Sequence, residues 1–203
     1  MIIGIAGKAR AGKTTIANYI RDNYGFTTIN FADPIKRGLE AMLDLTPKTL
    51  DELKISGDPI IPDTNINVRK LLQTLGTEWG REIVDENFWT ELAGNEIKKL
   101  ENQFFPQNDI VIGDVRFVSE FKWIQERYGV VIFVNRERKI PFLDHENHKS
   151  ETELDLLCGL VNYTVDNSKS HASLFRQIDG IMKELNYRKS ANWLITLSKL
   201  ING

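Results

Sequence analysis

A single cysteine, Cys158, is all the thiol chemistry in this chain of 203 residues. One cysteine excludes an internal disulfide and fits a reducing compartment. It stands in the apolar run Leu156-Leu157-Cys158, which predicts a buried thiol and not a nucleophile. An excess of charge is also missing: 26 Lys and Arg against 28 Asp and Glu leave a formal net charge of −2. That balance argues against bulk electrostatic binding to nucleic acid. Long apolar runs are absent, and none approaches the roughly 20 residues a membrane helix needs. The first apolar run, Ile2-Ile3-Gly4-Ile5-Ala6, is too short for a signal peptide. A cytoplasmic protein with neither a nucleic-acid nor a membrane partner is expected. His145 and His148 lie near Asp144 and Glu146, but no cysteine ligand accompanies them, so a structural zinc site is rejected.

The first apolar run leads directly into Gly7-Lys8-Ala9-Arg10-Ala11-Gly12-Lys13-Thr14, a complete G-x-x-x-x-G-K-[ST] loop. A helical pattern with Ile16, Ala17 and Ile20 follows. Strand, glycine loop and helix in that order form a phosphate cradle. Glycine lets the backbone turn tightly against a phosphate, and successive N–H groups with the helix N-terminus then face the anion. Lys13 is positioned to reach the β- and γ-phosphates and Thr14 to hold Mg²⁺. Gly7 to Thr14, with Thr15, are the candidate contacts to ATP.

Strand and helix signals alternate along the rest of the chain. Strand candidates are 2–6, 27–30, 109–113, 130–134 and 162–165, several of them apolar almost throughout. Between them run helical stripes: Ile35, Leu39, Met42 and Leu43; Val68, Leu71, Leu72, Leu75 and Trp79; Trp89, Leu92, Ala93 and Leu100; and Leu174, Ile178, Ile181 and Leu185. The order predicts one α/β domain over 1–203: three layers, with a five-stranded parallel sheet covered by helices on both faces. Ligands in such folds bind beyond the carboxyl ends of the strands. Residues 44–66 read as a turn-rich insertion, a flap on the acceptor side. Residues 135–153, carrying Arg136 and Arg138, read either as a lid over the triphosphate or as a solvated loop. The segment 189–203 reads as a packing or dimerisation helix, which leaves a homodimer open.

Several residues compete for the second half of a site. Asp114 ends a buried strand and Arg116 follows two residues later. An acid there acts on Mg²⁺ in phosphate-loop enzymes, or else caps the next helix. Arg116 offers a rigid, permanently charged fork for a phosphate. Glu120, one turn on, either reaches the same pocket or lies on the surface. Asp33 before Pro34 is a natural helix N-cap, and Lys36 is either a solvated lysine or a ligand. Arg69, Gln73, Gly76, Thr77 and Gly80 share one helix face. Two glycines on that face suggest either room for a ligand or close packing against another helix. Gln73 can read a base edge, and Arg69 can hold a monophosphate.

Together these pieces resemble the viral, bacteriophage-type deoxynucleoside monophosphate kinases of the phosphate-loop nucleoside monophosphate kinase group. The resemblance runs from Met1 to about Leu185. It rests on the loop at 7–14, F-A-D-P-I-K at 31–36, V-R-K-L-L-Q-T-L-G-T-E at 68–78, D-V-R-F-V-S-E at 114–120, H-K-S-E at 148–151 and Asp166-Asn167. It implies transfer of the ATP γ-phosphoryl group, with Mg²⁺, to a deoxynucleoside monophosphate. In that picture Lys13, Asp114, Arg116 and Glu120 are catalytic, and Arg136 and Arg138 assist at the donor. Thr14 and Asp114 serve the metal. Asp33, Lys36, Arg69, Gln73, Thr77, Arg116, His148 and Glu151 serve the acceptor. Some relatives carry Asp where Thr14 stands, so any acid supplied from that position must come from elsewhere, Asp33 or Asp114. Two rivals stay open: a kinase of another small molecule, such as dephospho-coenzyme A or a nucleoside, and a nucleotide-dependent switch. A GTP-reading N-K-x-D is absent, since Asn135-Arg136-Glu137-Arg138 does not match it.

Overall fold

A computed structural model of the chain describes residues 1–55, 61, 64–103, 109–136 and 149–187. Five parallel strands form one sheet in the order β2-β3-β1-β4-β5. They are β1 (Ile2–Ala6), β2 (Thr27–Ile29), β3 (Ile110–Val115), β4 (Val130–Asn135) and β5 (Tyr163–Asp166). All five fall on the stretches read as strand candidates. β1 is buried along its whole length because helices cover both faces of the sheet. β3 runs two residues past its expected end, to Val115, because the ladder resumes after a bulge with Ala6 opposite Val115.

Helices α1 (Lys13–Tyr24) and α8 (His171–Glu184) cover one face. Their Ile16, Ala17, Ile20, Leu174 and Ile178 pack on Ile3, Ile5, Val111 and Ile132. The other face carries α2 (Asp33–Leu43), α5 (Phe88–Gln103), α6 (Val118–Gln125) and α7 (Lys149–Cys158). Two more helices, α3 (Pro47–Ile55) and α4 (Val68–Thr74), close a small core around Leu50, Ile61 and Val68. β1 is followed by a helix on one face and its neighbour β3 by a helix on the other. The carboxyl ends of these two strands therefore bound the crevice in which such sheets take ligands.

Helix α3 lies within the region 44–66, and most of its turn-rich part, residues 56–60 and 62–63, lies outside the described residues. The structure corrects three expectations. Past Thr74 the helix changes from α to π winding over Leu75–Val84. The wider turn takes Trp79 off the apolar stripe and leaves it 42% exposed. Met42 is likewise outside the core, being exposed at the end of α2. Cys158 is exposed, because α7 buries Leu154 and Leu157 and turns their neighbours outward. Arg138, His145, His148 and the segment 189–203 lie outside the described residues. Among the described residues no helix is long and apolar enough to cross a membrane.

Candidate active site

The glycine loop leaves the carboxyl end of β1 and enters α1. Gly7 and Gly12 hold φ of +145° and +107°, values that side chains rarely adopt. No side chain caps α1 at Gly12 and no acidic residue lies in its first turn, so its leading N–H groups keep their pull on an anion. Lys13 is buried, and its Nζ donates to the carbonyls of Gly7 at 2.6 Å and Lys8 at 3.0 Å. Thr14 and Ala9 are exposed and Thr15 is half-buried. Lys8 pairs with Asp155 at 3.1 Å, and Arg136 donates to the Arg10 carbonyl at 3.2 Å, so one cation from the expected lid lies beside the loop.

Asn167 underpins this loop. It is buried at the end of β5, and its Nδ2 donates to the Ala11 carbonyl at 2.7 Å. Its backbone N–H donates to the Asn135 carbonyl at 2.8 Å. One residue thus ties the ends of β4 and β5 to the loop. The pair Asp166-Asn167 stands out in the sequence, but nothing local says that its amide reaches a loop 156 positions away.

The opposite wall of the crevice is the end of β3. Val115 lies level with Ala6, so Arg116 follows directly beside the start of the glycine loop. Asp114 does not cap α6. Its two carboxylate oxygens accept from the backbone N–H groups of Phe31 and Ala32, each at 2.9 Å, and so hold the turn into α2. Enclosure of this carboxyl pushes its pKa up, the two N–H groups oppose that, Asp33 adds to it and Arg116 opposes it. Asp33 is the first residue of α2 and not its N-cap, which is Ala32. Its carboxylate instead accepts from the backbone N–H and Nδ2 of Asn30. Lys36, half-buried, lies 4.0 Å from Asp33.

Glu120 is buried, not on the surface. One oxygen accepts from Arg81 Nη2 at 2.5 Å, and the other from the backbone N–H groups of Arg116 at 2.6 Å and Phe117 at 3.1 Å. Burial pushes its carboxyl up to about 7, against the pull of Arg81 and of the two N–H groups and with added repulsion from Asp114. Arg81 is the residue that sequence reasoning passed over. It ends a stretch whose apolar spacing drew attention to other positions.

The helix facing this wall starts at Asn67, whose side chain accepts from the N–H groups of Arg69 and Lys70. Arg69 and Gln73 are half-buried on it, one turn apart, and Thr77 is buried on the π-wound stretch. Its glycines favour the packing reading over room for a ligand. A Cβ on Gly80 would lie 2.5 Å from the Trp89 ring, and one on Gly76 would lie 3.2 Å from Ile35. Glu151 belongs to α7. A groove of about 640 Å³ runs along the outer edge of β2, lined by Thr28, Asn30, Asp33 and Arg37, and does not include the glycine loop.

The family model for deoxynucleotide monophosphate kinase matches residues 1–58 and 51–178. The chain belongs to that family. This kinase is 30% identical over 188 residues to a protein of Acanthamoeba polyphaga mimivirus named provisionally as a deoxynucleotide monophosphate kinase, covering 88% of this chain and 94% of that one. Among solved structures, TT1252 from Thermus thermophilus superposes with a TM-score of 0.51 at 17% identity, covering 91% of this chain and 97% of that one. At that identity the likeness shows the fold alone, an α/β phosphate-loop kinase fold. A dephospho-CoA kinase from Campylobacter jejuni is also similar, with a TM-score of 0.44, 18% identity and coverage of 91% and 96%. The enzyme is thus a phosphate-loop kinase that phosphorylates a nucleotide.

Proposed function

We propose that the enzyme transfers the γ-phosphoryl group of ATP to a deoxynucleoside 5′-monophosphate, giving ADP and the deoxynucleoside diphosphate. The observation that carries this reading is the pairing of Ala6 with Val115, which puts Arg116 beside the glycine loop. In this reading the glycine loop is the donor cradle, and Arg116, whose backbone stands beside it, is a second cation for a phosphate. An acceptor phosphate oxygen attacks the γ-phosphorus in line. The new O–P bond forms as the bond to the β–γ bridging oxygen breaks, so no enzyme nucleophile is needed. Lys13 leaves its loop carbonyls for the phosphates, and Arg116 and Arg136 neutralise charge on the transferring group.

The residues present also fit a magnesium-bound triphosphate. The first turn of α1 is free of acidic side chains, and Thr14 is exposed there. When bound, Mg²⁺ supplies charge neutralisation across the β- and γ-phosphates. Thr14 would hold it. Asp114 has one oxygen on each of two backbone N–H groups, so we assign it first to orienting the 31–32 turn and only through that to the metal. Arg69, Gln73, Thr77, Asp33 and Lys36 form the acceptor side in this reading. His148 and Glu151 follow from resemblance alone, as does Arg138 at the donor.

One assay tests the proposal: ADP release from ATP and Mg²⁺ against a panel of deoxynucleoside and ribonucleoside monophosphates. Turnover stimulated by deoxynucleoside monophosphates is expected, and Lys13→Ala abolishes it. Arg69→Ala raises KM for the monophosphate more than for ATP. Absence of acceptor-stimulated turnover, or stimulation by dephospho-coenzyme A or nucleosides alone, overturns the assignment.

A further inference from the structure

The buried ion pair between Arg81 and Glu120 joins two parts of the crevice that share no strand. Arg81 sits near the end of the helical stretch that carries Arg69 and Gln73. Its side chain is 7% exposed and that of Glu120 is 2% exposed. The guanidinium lies 4.1 Å above the Phe117 ring and also donates to the Glu86 carbonyl at 3.2 Å. Glu120 uses its second oxygen on the backbone N–H groups of Arg116 and Phe117. A single carboxylate is therefore shared between a side chain of the acceptor-side helix and the backbone that presents Arg116.

Packing alone does not call for this arrangement. Burying two charges is costly, and apolar side chains of similar volume often serve a core as well or better. A serine or aspartate at the N-cap satisfies the start of a helix more simply. What the charged pair adds is direction. The guanidinium, held by the Glu86 carbonyl and the ring beneath it, sets its Nη2 on one carboxylate oxygen, and the other oxygen holds the Arg116 backbone. Phosphoryl transfer rewards such placement, since a shift of about 1 Å at the reacting groups costs up to about 100-fold in rate.

We propose that Arg81 is a positioning residue for phosphoryl transfer: through Glu120 it fixes the backbone that carries Arg116 and ties it to the acceptor-side helix. This rests on the kinase reading above. Arg81 touches no reacting atom. Its contribution passes through Arg116, so it is present only while Arg116 is.

The test is a cycle on kcat with four proteins: wild type, Arg81→Met, Arg116→Ala and the double variant. Arg81→Met is expected to lower kcat by at least about tenfold, with KM for ATP within about twofold. In the Arg116→Ala background the same change should cost less than about twofold. Equal fold losses in both backgrounds overturn the proposal, because the effect then does not pass through Arg116. Should Arg81→Met fail to fold, Arg81→Lys carries the same cycle with a smaller loss, and the same equality overturns it. A second comparison separates positioning from stability. In Arg81→Met/Glu120→Gln no buried charge is left unpaired, and an acceptor for the two N–H groups remains. Its melting temperature should return toward wild type while kcat stays low; recovery of kcat along with stability overturns the proposal. Failure of the kinase reading looks different, since wild type itself then shows no acceptor-stimulated turnover.

Discussion

Gly12→Ala probes how the donor loop is held. The backbone at Gly12 has φ of +107°, and an added Cβ would stand 2.3 Å from Asn167 Nδ2. Two costs follow. Forcing an L side chain into that backbone region costs about 1–3 kcal/mol. Driving the Asn167 amide away breaks its bond to the Ala11 carbonyl and strands buried polar groups, costing about 1–3 kcal/mol more. The single variant should therefore lose about 2–6 kcal/mol. Asn167→Ala removes the obstructing amide and loses only the second contribution. In Gly12→Ala/Asn167→Ala the backbone strain remains and the hydrogen bond is lost once, not twice. The cycle should close with a coupling of about 1–3 kcal/mol, the double variant being less damaged than the sum of the singles. Urea denaturation of the four proteins gives the stabilities, and titration with ATP reports whether the loop still closes on phosphate. Additivity within about 0.5 kcal/mol would refute the reasoning. So would a Gly12→Ala protein of wild-type stability.

Three further outcomes are expected. Gly80→Ala places a methyl group 2.5 Å from the Trp89 ring, whose Nε1 holds the Gly76 carbonyl, and should destabilise by about 1–3 kcal/mol in urea; an unchanged midpoint would show that the ring gives way freely. Glu120 has a carboxyl raised from 4.5 to about 7, so its folded-state preference for the neutral form stabilises fully below about pH 4.5 and is lost as pH rises through about 7. Wild type should therefore lose stability between pH 5 and pH 8 by an increment that Glu120→Gln lacks, and identical pH curves for the two would contradict this. Cys158, exposed at the end of α7, should react with a thiol reagent in the native protein about as fast as in the denatured chain; strong protection would mean a buried thiol after all.

The fold was legible because its signals are local. Runs such as Ile110–Ile112 and Val130–Val134 are apolar throughout, and the alternation with helical stripes leaves little choice of architecture. The donor loop was legible for the same reason, since all its residues lie within one turn. Trp79 was misjudged because a π-wound stretch has no sequence mark of its own and shifts the phase of everything after it. Gly76 and Gly80 looked alike as openings for a ligand or as packing sites. Only the place of Trp89 and Ile35 in space decides for packing.

The acceptor wall shows where reading along the chain stops. Asp114 and Glu120 were visible as acids at the end of a strand and one turn later. Their partners lie 83 and 39 positions away, at Phe31 and Arg81. A hydrogen bond or ion pair of that span depends on which strands are neighbours and where helices land, and no local spacing encodes it. By itself the sequence determined the strand–loop–helix unit at residues 2–24, the parallel α/β class and the near absence of thiol chemistry, because each follows from covalent order and short-range periodicity. The tertiary structure alone decided that Asn167 clamps the glycine loop, that Asp114 holds the turn into α2, and that Arg81 meets Glu120 behind Arg116. Those contacts exist only once the sheet order sets β3 against β1 and β5 against β4.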